Sequence, residues 1–320
     1  MSFIITMSLS KQDYALLAQL DTNARQTYIQ LGKKLRMNKD TVKYRMERLQ
    51  KLGIIQGYYT ELNTQLLGYT IYRVYIKLQN TKPSTRHSIF EWICNQKETF
   101  YVAEIIGHWD IAVLFWAKDI TEAEQFWNNY KSLYVQHTQH SLLSIFTKLH
   151  IFPRKYLGSK PDVVRVEPKS IPSLDKIDYI ILQELASNSR ASFVDIALKL
   201  KTTAKRIVYR VRKMEKEHVI LWYRAKLNYL KLQKHYFKVD MFLNDTTHLK
   251  SLYQFVFDNP NVIYINQTLG CSDFEFDVEI ESFEELTSLL NKMSSLFPNT
   301  IRDYTYFQIL KVHKIHYFPL

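Results

Sequence analysis

The sequence predicts an α+β chain in which two helix-turn-helix units alternate with two β-α-β-β-α-β units. Three observations predict it. Residues 9–63 align without a gap on residues 174–228 at a constant offset of 165, and 17 of the 55 pairs are identical, among them Asp13/Asp178, Asn23/Asn188, Arg25/Arg190 and Arg45/Arg210. So long a period marks a duplicated domain pair rather than a solenoid. In each copy, three stretches of helical apolar spacing give way to alternating stretches rich in β-branched and aromatic residues. Finally, the formal charge of +12 is unevenly spread: residues 9–63 hold 10 basic and 5 acidic residues, and 174–228 hold 12 and 6.

The first helix of copy one is read from Tyr14, Leu17 and Leu20, with Asp13 in its opening turn, and breaks at Asp21-Thr22-Asn23. Tyr28, Ile29, Leu31 and Leu35 make a short second helix. Asn38 is a suitable N-cap for a third, running to about Leu52 with Val42, Met46 and Leu49 on its buried face. Gly53 suits a left-handed cap, and a strand leaves from Ile54. Copy two repeats this with a cap at Thr202 or Thr203 and a buried Ile207, Val211 and Met214. It has His218 where Gly53 stood, which weakens the cap by ~1 kcal/mol.

Strands are expected next at 69–79 and 235–243, then helices at 84–94 and 247–258. Strand pairs follow at 100–106 and 111–117, and at 262–269 and 274–280. Helices at 122–134 and 283–297 and closing strands at 142–152 and 301–311 complete each copy. This order is the ferredoxin-like split βαβ arrangement. Residues 154–173, with Gly158, Pro161, Pro168 and Pro172, read as a linker in which few residues can pack. Extended, it spans on the order of 60 Å at ~3.3 Å per residue. The expected domains are thus 9–63, 64–153, the linker 154–173, 174–228 and 229–320.

Charge gathered in the helical units is the footprint expected of phosphate contacts, which makes double-stranded DNA the partner to consider. Off the buried face of the third helices stand Lys39, Thr41, Lys43, Tyr44, Arg45 and Arg48, and Lys205, Arg206, Tyr209, Arg210 and Lys213. A recognition helix needs short polar and basic side chains near its N-terminus for base edges, with longer basic ones for phosphates. The competing reading of one such helix alone is a solvated amphipathic face; its repetition with the whole unit argues for DNA.

No apolar run reaches the ~18 residues of a membrane span, and the start lacks a basic leader with a small-residue cleavage site. Cys94 and Cys271 fall at unmatched positions and read as free thiols, so a cytoplasmic, DNA-associated protein is expected. The histidine pairs His137/His140 and His313/His316 lack companion ligands and read as surface residues rather than a metal site. No catalytic motif and no cofactor is expected; only 7 glycines in 320 residues argue against phosphate-cradling loops. Gly107-His108-Trp109-Asp110 and Gly270-Cys271-Ser272-Asp273 stand between paired strands in equivalent places and are at minimum tight turns.

The whole arrangement resembles the Lrp/AsnC (feast/famine) transcription regulators. The resemblance is carried by the openings 9–14 and 174–179, by Asn23-Ala24-Arg25 and Asn188-Ser189-Arg190, by the second helices 31–35 and 196–200, and by Thr41-Val42-Lys43-Tyr44-Arg45 through Gly53-Ile54-Ile55. It implies a non-enzymatic regulator whose βαββαβ domains pair sheet to sheet. It also implies an amino-acid-like effector near the two Gly-x-x-Asp turns. Fusion of two copies implies an intramolecular pseudo-dimer, open to higher homo-oligomers, with unlike recognition helices and hence an asymmetric operator. The alternatives are a siroheme-decarboxylase-like enzyme, which resembles the same architecture, and a non-specific DNA-binding or scaffold protein.

Overall fold

A computed structural model describes residues 9–159, 163–166 and 172–319. In chain order, the first copy comprises α1 (Lys11–Thr22), α2 (Tyr28–Leu35), α3 (Lys39–Lys51), β1 (Ile55–Leu62), β2 (Thr70–Leu78), α4 (Pro83–Asn95), β3 (Thr99–Gly107), β4 (Ile111–Ala117), α5 (Ile120–Tyr134) and β5 (Thr138–Ile151). After a short β6 (Val164–Val166) the second comprises α6 (Lys176–Ser187), α7 (Phe193–Lys199), α8 (Ala204–Lys216), β7 (Ile220–Leu227), β8 (His235–Leu243), α9 (Leu249–Asp258), β9 (Val262–Leu269), β10 (Phe274–Ile280), α10 (Phe283–Leu296) and β11 (Ile301–Ile315).

Capping sets most helix starts. Ser10 and Asp13 form a reciprocal capping box at α1, and Asp175 and Asp178 repeat it at α6. Asn38 and Thr203 accept from Thr41 N and Arg206 N at the starts of α3 and α8. Past α3 the chain turns at Gly53 with φ +66°, and past α8 at His218 with φ 59°. The second copy therefore holds a β-carbon in the left-handed region where the first has none, as its sequence implies.

Within each copy the four strands take the order β5-β2-β4-β3 and β11-β8-β10-β9, all antiparallel. The long closing strands then cross over. β5 pairs with β2 as far as Ile145 and with β9 from there to Ile151. β11 pairs with β8 as far as Gln308 and with β3 from Phe307 to Ile315. The two sheets are thus stitched along both edges into one closed ring of eight strands, with β6 added beside β5.

Alternation along the strands separates two environments. On the outer face Val74, Val113 and Phe115 pack under α4 and α5 against Ile89 and Phe126. Val239, Phe276 and Val278 do the same under α9 and α10 against Leu252 and Leu290. The inner face carries Tyr75, Ala103, Ile105, Trp109, Ala112, Phe307 and Ile309, together with a group of buried charges.

The helical units are exchanged between copies. β1 pairs antiparallel with β7 in a separate two-stranded ribbon. The core under α1–α3, built on Leu16, Leu20, Leu31, Val42 and Leu49, is completed by Ala225, Leu227 and Leu232 of the second copy. The core under α6–α8, built on Ile181, Leu185, Ile196, Ile207 and Val211, is completed by Leu62, Leu66 and Leu67 of the first. Collinear repeats read alike whether the strand returns to its own unit or to the other, so the alignment does not register this exchange.

The connecting segment packs more than its prolines suggest. Arg154 is half-buried in ion pairs with Asp21 and Glu279, and Leu157 and Val166 are 4% and 3% exposed. Pro161 and Pro168 lie outside the described residues. Strand β6 occupies the outer side of β5, where few ladder bonds are needed.

Candidate nucleic-acid interface

The third helix of each unit divides its basic residues between two jobs. Arg45 donates to Asp13 at 2.9 Å and also to Gln12, while Arg48 reaches the other oxygen of Asp13 at 2.6 Å. Asp13 is fully buried; although burial opposes it, the Ser10 hydroxyl and amide and the two guanidiniums hold its carboxyl below the usual range. Arg210 repeats the bond to Asp178 and to Asp175, both at 2.8 Å. These arginines, expected on the DNA face, brace α3 against α1 and α8 against α6. The sequence marks them alike, since Asp13/Asp178 and Arg45/Arg210 are identical pairs 32 residues apart.

The remaining candidates point outward. Lys39, Lys43, Lys205, Arg206 and Lys213 are exposed, and Tyr44 and Tyr209 are 67% and 72% exposed. Thr41 is half-buried beside the Asn38 cap. Only loose contacts at 3.9 Å tie Lys43 to Glu47 and Lys213 to Glu217, so these cations stay available to an anionic partner.

The two units are also locked to each other. Arg25 donates to Ser189 O, and to Ala191 O at 3.1 Å; Arg190 donates to Ala24 O, and to Gln26 O at 3.0 Å. Arg25 also lies over the Phe193 ring at 4.0 Å. With the ribbon and the exchanged cores, these bonds fix the placement of α3 relative to α8.

The model for the AsnC-type helix-turn-helix domain matches residues 174–215, and that for a winged helix-turn-helix DNA-binding domain matches 9–56. The HTH-type transcriptional regulator LrpA of Pyrococcus horikoshii is 31% identical over 114 residues, which cover 35% of this chain and 77% of that protein. The chain belongs to the Lrp/AsnC family. The HTH-type transcriptional regulator Ptr1 of Methanocaldococcus jannaschii is 28% identical over 118 residues, covering 37% of this chain and 78% of its own. Where those relatives match about a third of the chain, the siroheme decarboxylase NirDL aligns with 97% of it. That match covers 94% of NirDL, with a TM-score of 0.68 at 10% identity. The likeness establishes a shared two-copy fold.

Within this Lrp/AsnC frame the Gly-x-x-Asp turns are structural joints. Asp110 accepts from Leu78 N and Asp273 from Leu243 N, both at 2.8 Å, so each carboxylate ties its turn to the end of β2 or β8. A β-carbon on Gly107 (φ +143°) would lie 2.9 Å from Tyr306 O, and one on Gly270 (φ +92°) 2.9 Å from Leu143 O. Both glycines are therefore required where the other copy's closing strand crosses. Trp109 is 9% exposed and stacks with Tyr75 inside the ring, with exposed His108 edge-on to it. Cys271, half-buried beside Ser272, faces the buried charges, and burial pushes its thiol up to about 12.

Those charges were not singled out by sequence, because β2, β8 and β10 bring them together only when the two copies close on each other. Arg73 of β2 makes two 2.8 Å bonds to Glu275 of β10, across the two copies. Lys238 lies 2.9 Å from Glu275 and 3.0 Å from Asp277. Burial and the neighbouring Glu275 raise the Asp240 carboxyl to about 7. Asp240, Cys271 and Glu275 bring potential ligand atoms within 4.8 Å of one another, yet both Glu275 oxygens are committed to Arg73, Lys238 and Thr268. Nor are the terminal histidines surface residues. His313 is half-buried, stacked on Phe90 and 3.4 Å from Glu104, and half-buried His316 bonds to Thr99 O and Phe318 O. No helix among the described residues is long and apolar enough to cross a membrane.

Proposed function

We propose that this protein is a sequence-specific, double-stranded-DNA-binding transcription regulator in which one chain supplies both halves of the DNA-reading dimer. The observation that carries the reading is the pair of outward basic faces, Lys39, Thr41, Lys43 and Tyr44 on α3 and Lys205, Arg206, Tyr209 and Lys213 on α8, held in fixed relation by the β1–β7 ribbon. The arginines that brace the helices, Arg45, Arg48 and Arg210, act by positioning.

The two faces are unlike. Residue 41 is Thr where 206 is Arg, and 40 is Asp where 205 is Lys. A fixed pair of unlike readers selects two unlike half-sites at one spacing, since operator symmetry mirrors protein symmetry. Selection from a random duplex library should return asymmetric sites of constant spacing. Recovery of perfect palindromes would contradict the reading, and failure to enrich any sequence would leave a non-specific DNA-coating role.

A second reading, an enzyme of the siroheme-decarboxylase kind, is favoured by the whole-chain fold likeness to NirDL. Against it, the two cations on the inner face of the strands are paired: Arg73 with Glu275, and Lys238 with Glu275 and Asp277. An absorption band acquired on incubation with an iron tetrapyrrole would favour the enzyme. A small amino-acid-like effector remains part of the regulatory reading; its proposed place at 107–110 and 270–273 is tested by Trp109 fluorescence on titration with amino acids.

A further inference from the structure

Between the β1–β7 ribbon and the inner face of the ring lies a cavity of about 530 Å³, in the range of small-molecule sites. Its roof is the ribbon face bearing Tyr59, Glu61, Arg224 and Lys226. The opposite ribbon face enters the helical cores and barely differs between copies: Tyr58 matches Tyr223, Leu62 matches Leu227, and only Thr60 and Ala225 differ, by little. On the cavity side, two equivalent pairs differ in charge. Tyr59 of the first copy corresponds in sequence to Arg224 of the second, and Glu61 to Lys226, whereas Leu62 and Leu227, which also border the cavity, are alike. The one equivalent pair of opposite charge, Glu61 and Lys226, thus lies on the cavity side of the ribbon.

Of the four charges nearest the roof, two are spent. Arg224 bonds Asp21 at 2.8 Å, and Arg154 bonds both Asp21 and Glu279. The side chains of Glu61 and Lys226 have no hydrogen bond or ion pair among the described residues, and both residues are half-buried. Because Glu61 is opposite Trp222, Lys226 is four residues away along β7, a separation of about 13 Å at ~3.3 Å per residue. The wall between them is largely aromatic, with Tyr59, Tyr101, Tyr264, Phe307 and Tyr317.

We propose that this cavity binds an elongated aromatic zwitterion about the length of a tripeptide, its ammonium at Glu61 and its carboxylate at Lys226. A tripeptide spans about 10 Å extended, and the two side chains close the remaining gap. Burial, opposed by Arg224, raises the Glu61 carboxyl to about 7, and burial lowers the Lys226 ammonium. Each charge is costly while unpaired, and each is relieved by the ligand end assigned to it. Tyr59, Tyr264 and Tyr317 face Glu61 from the ribbon, β9 and the C-terminal segment, and with Arg224 they complete its charged and titratable surroundings. The site lies away from the Gly-x-x-Asp turns, and its occupancy is measurable whether or not the chain binds DNA.

Calorimetric titration of the full chain with the tripeptide Tyr-Tyr-Tyr tests this, beside its N-acetylated and C-amidated forms. The zwitterion is expected to bind, and each blocked end to cost about tenfold in affinity. Glu61→Gln should remove the penalty for acetylation and leave that for amidation; Lys226→Gln should do the reverse. Equal binding of all three peptides to the wild type, or no heat up to millimolar peptide, would overturn the proposal without needing any variant. Binding indifferent to both substitutions would overturn it too, by placing the peptide elsewhere.

Discussion

Arg25 and Arg190 stand 165 residues apart and perform one act twice: each reaches into the loop that carries the other and donates to two carbonyl oxygens there. The loops are buried enough that Ala24 and Ser189 are fully inaccessible. The arginine of the Asn-x-Arg signature therefore clasps one helical unit to the other.

Removing either clasp leaves carbonyls unpaired in a closed junction. Arg25→Ala and Arg190→Ala should each cost about 1.5–3 kcal/mol, the range for hydrogen bonds to a charged group. The double variant should cost less than the sum, because one opened junction wets both loops. Urea unfolding followed by circular dichroism reads this; additive losses would mean that the clasps act independently.

Bracing and reading separate by mutation. Asp13→Asn removes the charge that Arg45 and Arg48 share and should lower stability by about 1.5–3 kcal/mol. Lys43→Ala, by contrast, should leave the melting temperature within a degree or so, as an exposed and loosely paired cation. A thermal scan of the two variants distinguishes them; equal melting temperatures would contradict the division of roles.

Arg73 and Glu275 join the two halves of the ring at full burial. Arg73→Ala strands Glu275 against Asp240 and Asp277 with only Lys238 as counter-charge and should cost about 3–5 kcal/mol. Arg73→Met with Glu275→Met should recover much of that loss. Denaturant midpoints of the single and double variants check the order; a double variant no better than the single would show that other inner-face contacts dominate.

Stability should also depend on pH with a definite sign. Glu61 and Asp240 have carboxyls raised to about 7 in the folded chain, by burial in both and by Glu275 beside Asp240. The unfolded chain releases these protons near pH 4, so between about pH 4 and 7 the folded state holds more protons and stability falls as pH rises. Each group contributes on the order of 1–3 kcal/mol to that fall. Glu61→Gln should flatten its share, so that the variant gains on the wild type at pH 8 relative to pH 5. Parallel urea titrations at the two values would expose the opposite sign.

Much of this was legible because duplication wrote it twice. Matched caps at Asn38 and Thr203, matched apolar faces on α3 and α8, and the order of strands all follow from local spacing, and most helices and strands fall within a few residues of expectation. What local spacing does not encode is which copy a strand joins. The exchange of β1 and β7, and the crossing of β5 and β11, depend on pairings across more than 100 residues. Arg45 and Arg210 carried the same ambiguity: their place off the buried face of the third helix suits a DNA face, and only the buried Asp13 and Asp178 turn them inward. The charges of the ring interior gave no signal, since Arg73 and Glu275 become partners only on closure.

In the proposed function, α3 and α8 read duplex DNA as a fixed pair. Its most direct test is fluorescence anisotropy of the full chain on duplex from its own upstream region, across a salt series. The comparison is wild type against Lys43→Ala with Arg206→Ala. Nanomolar-range binding at moderate salt that survives competitor DNA is expected, with log affinity falling steeply against log salt. In the variant that slope should be shallower by about one to two units. Absence of binding at low salt, or a slope unchanged by the two substitutions, would contradict it.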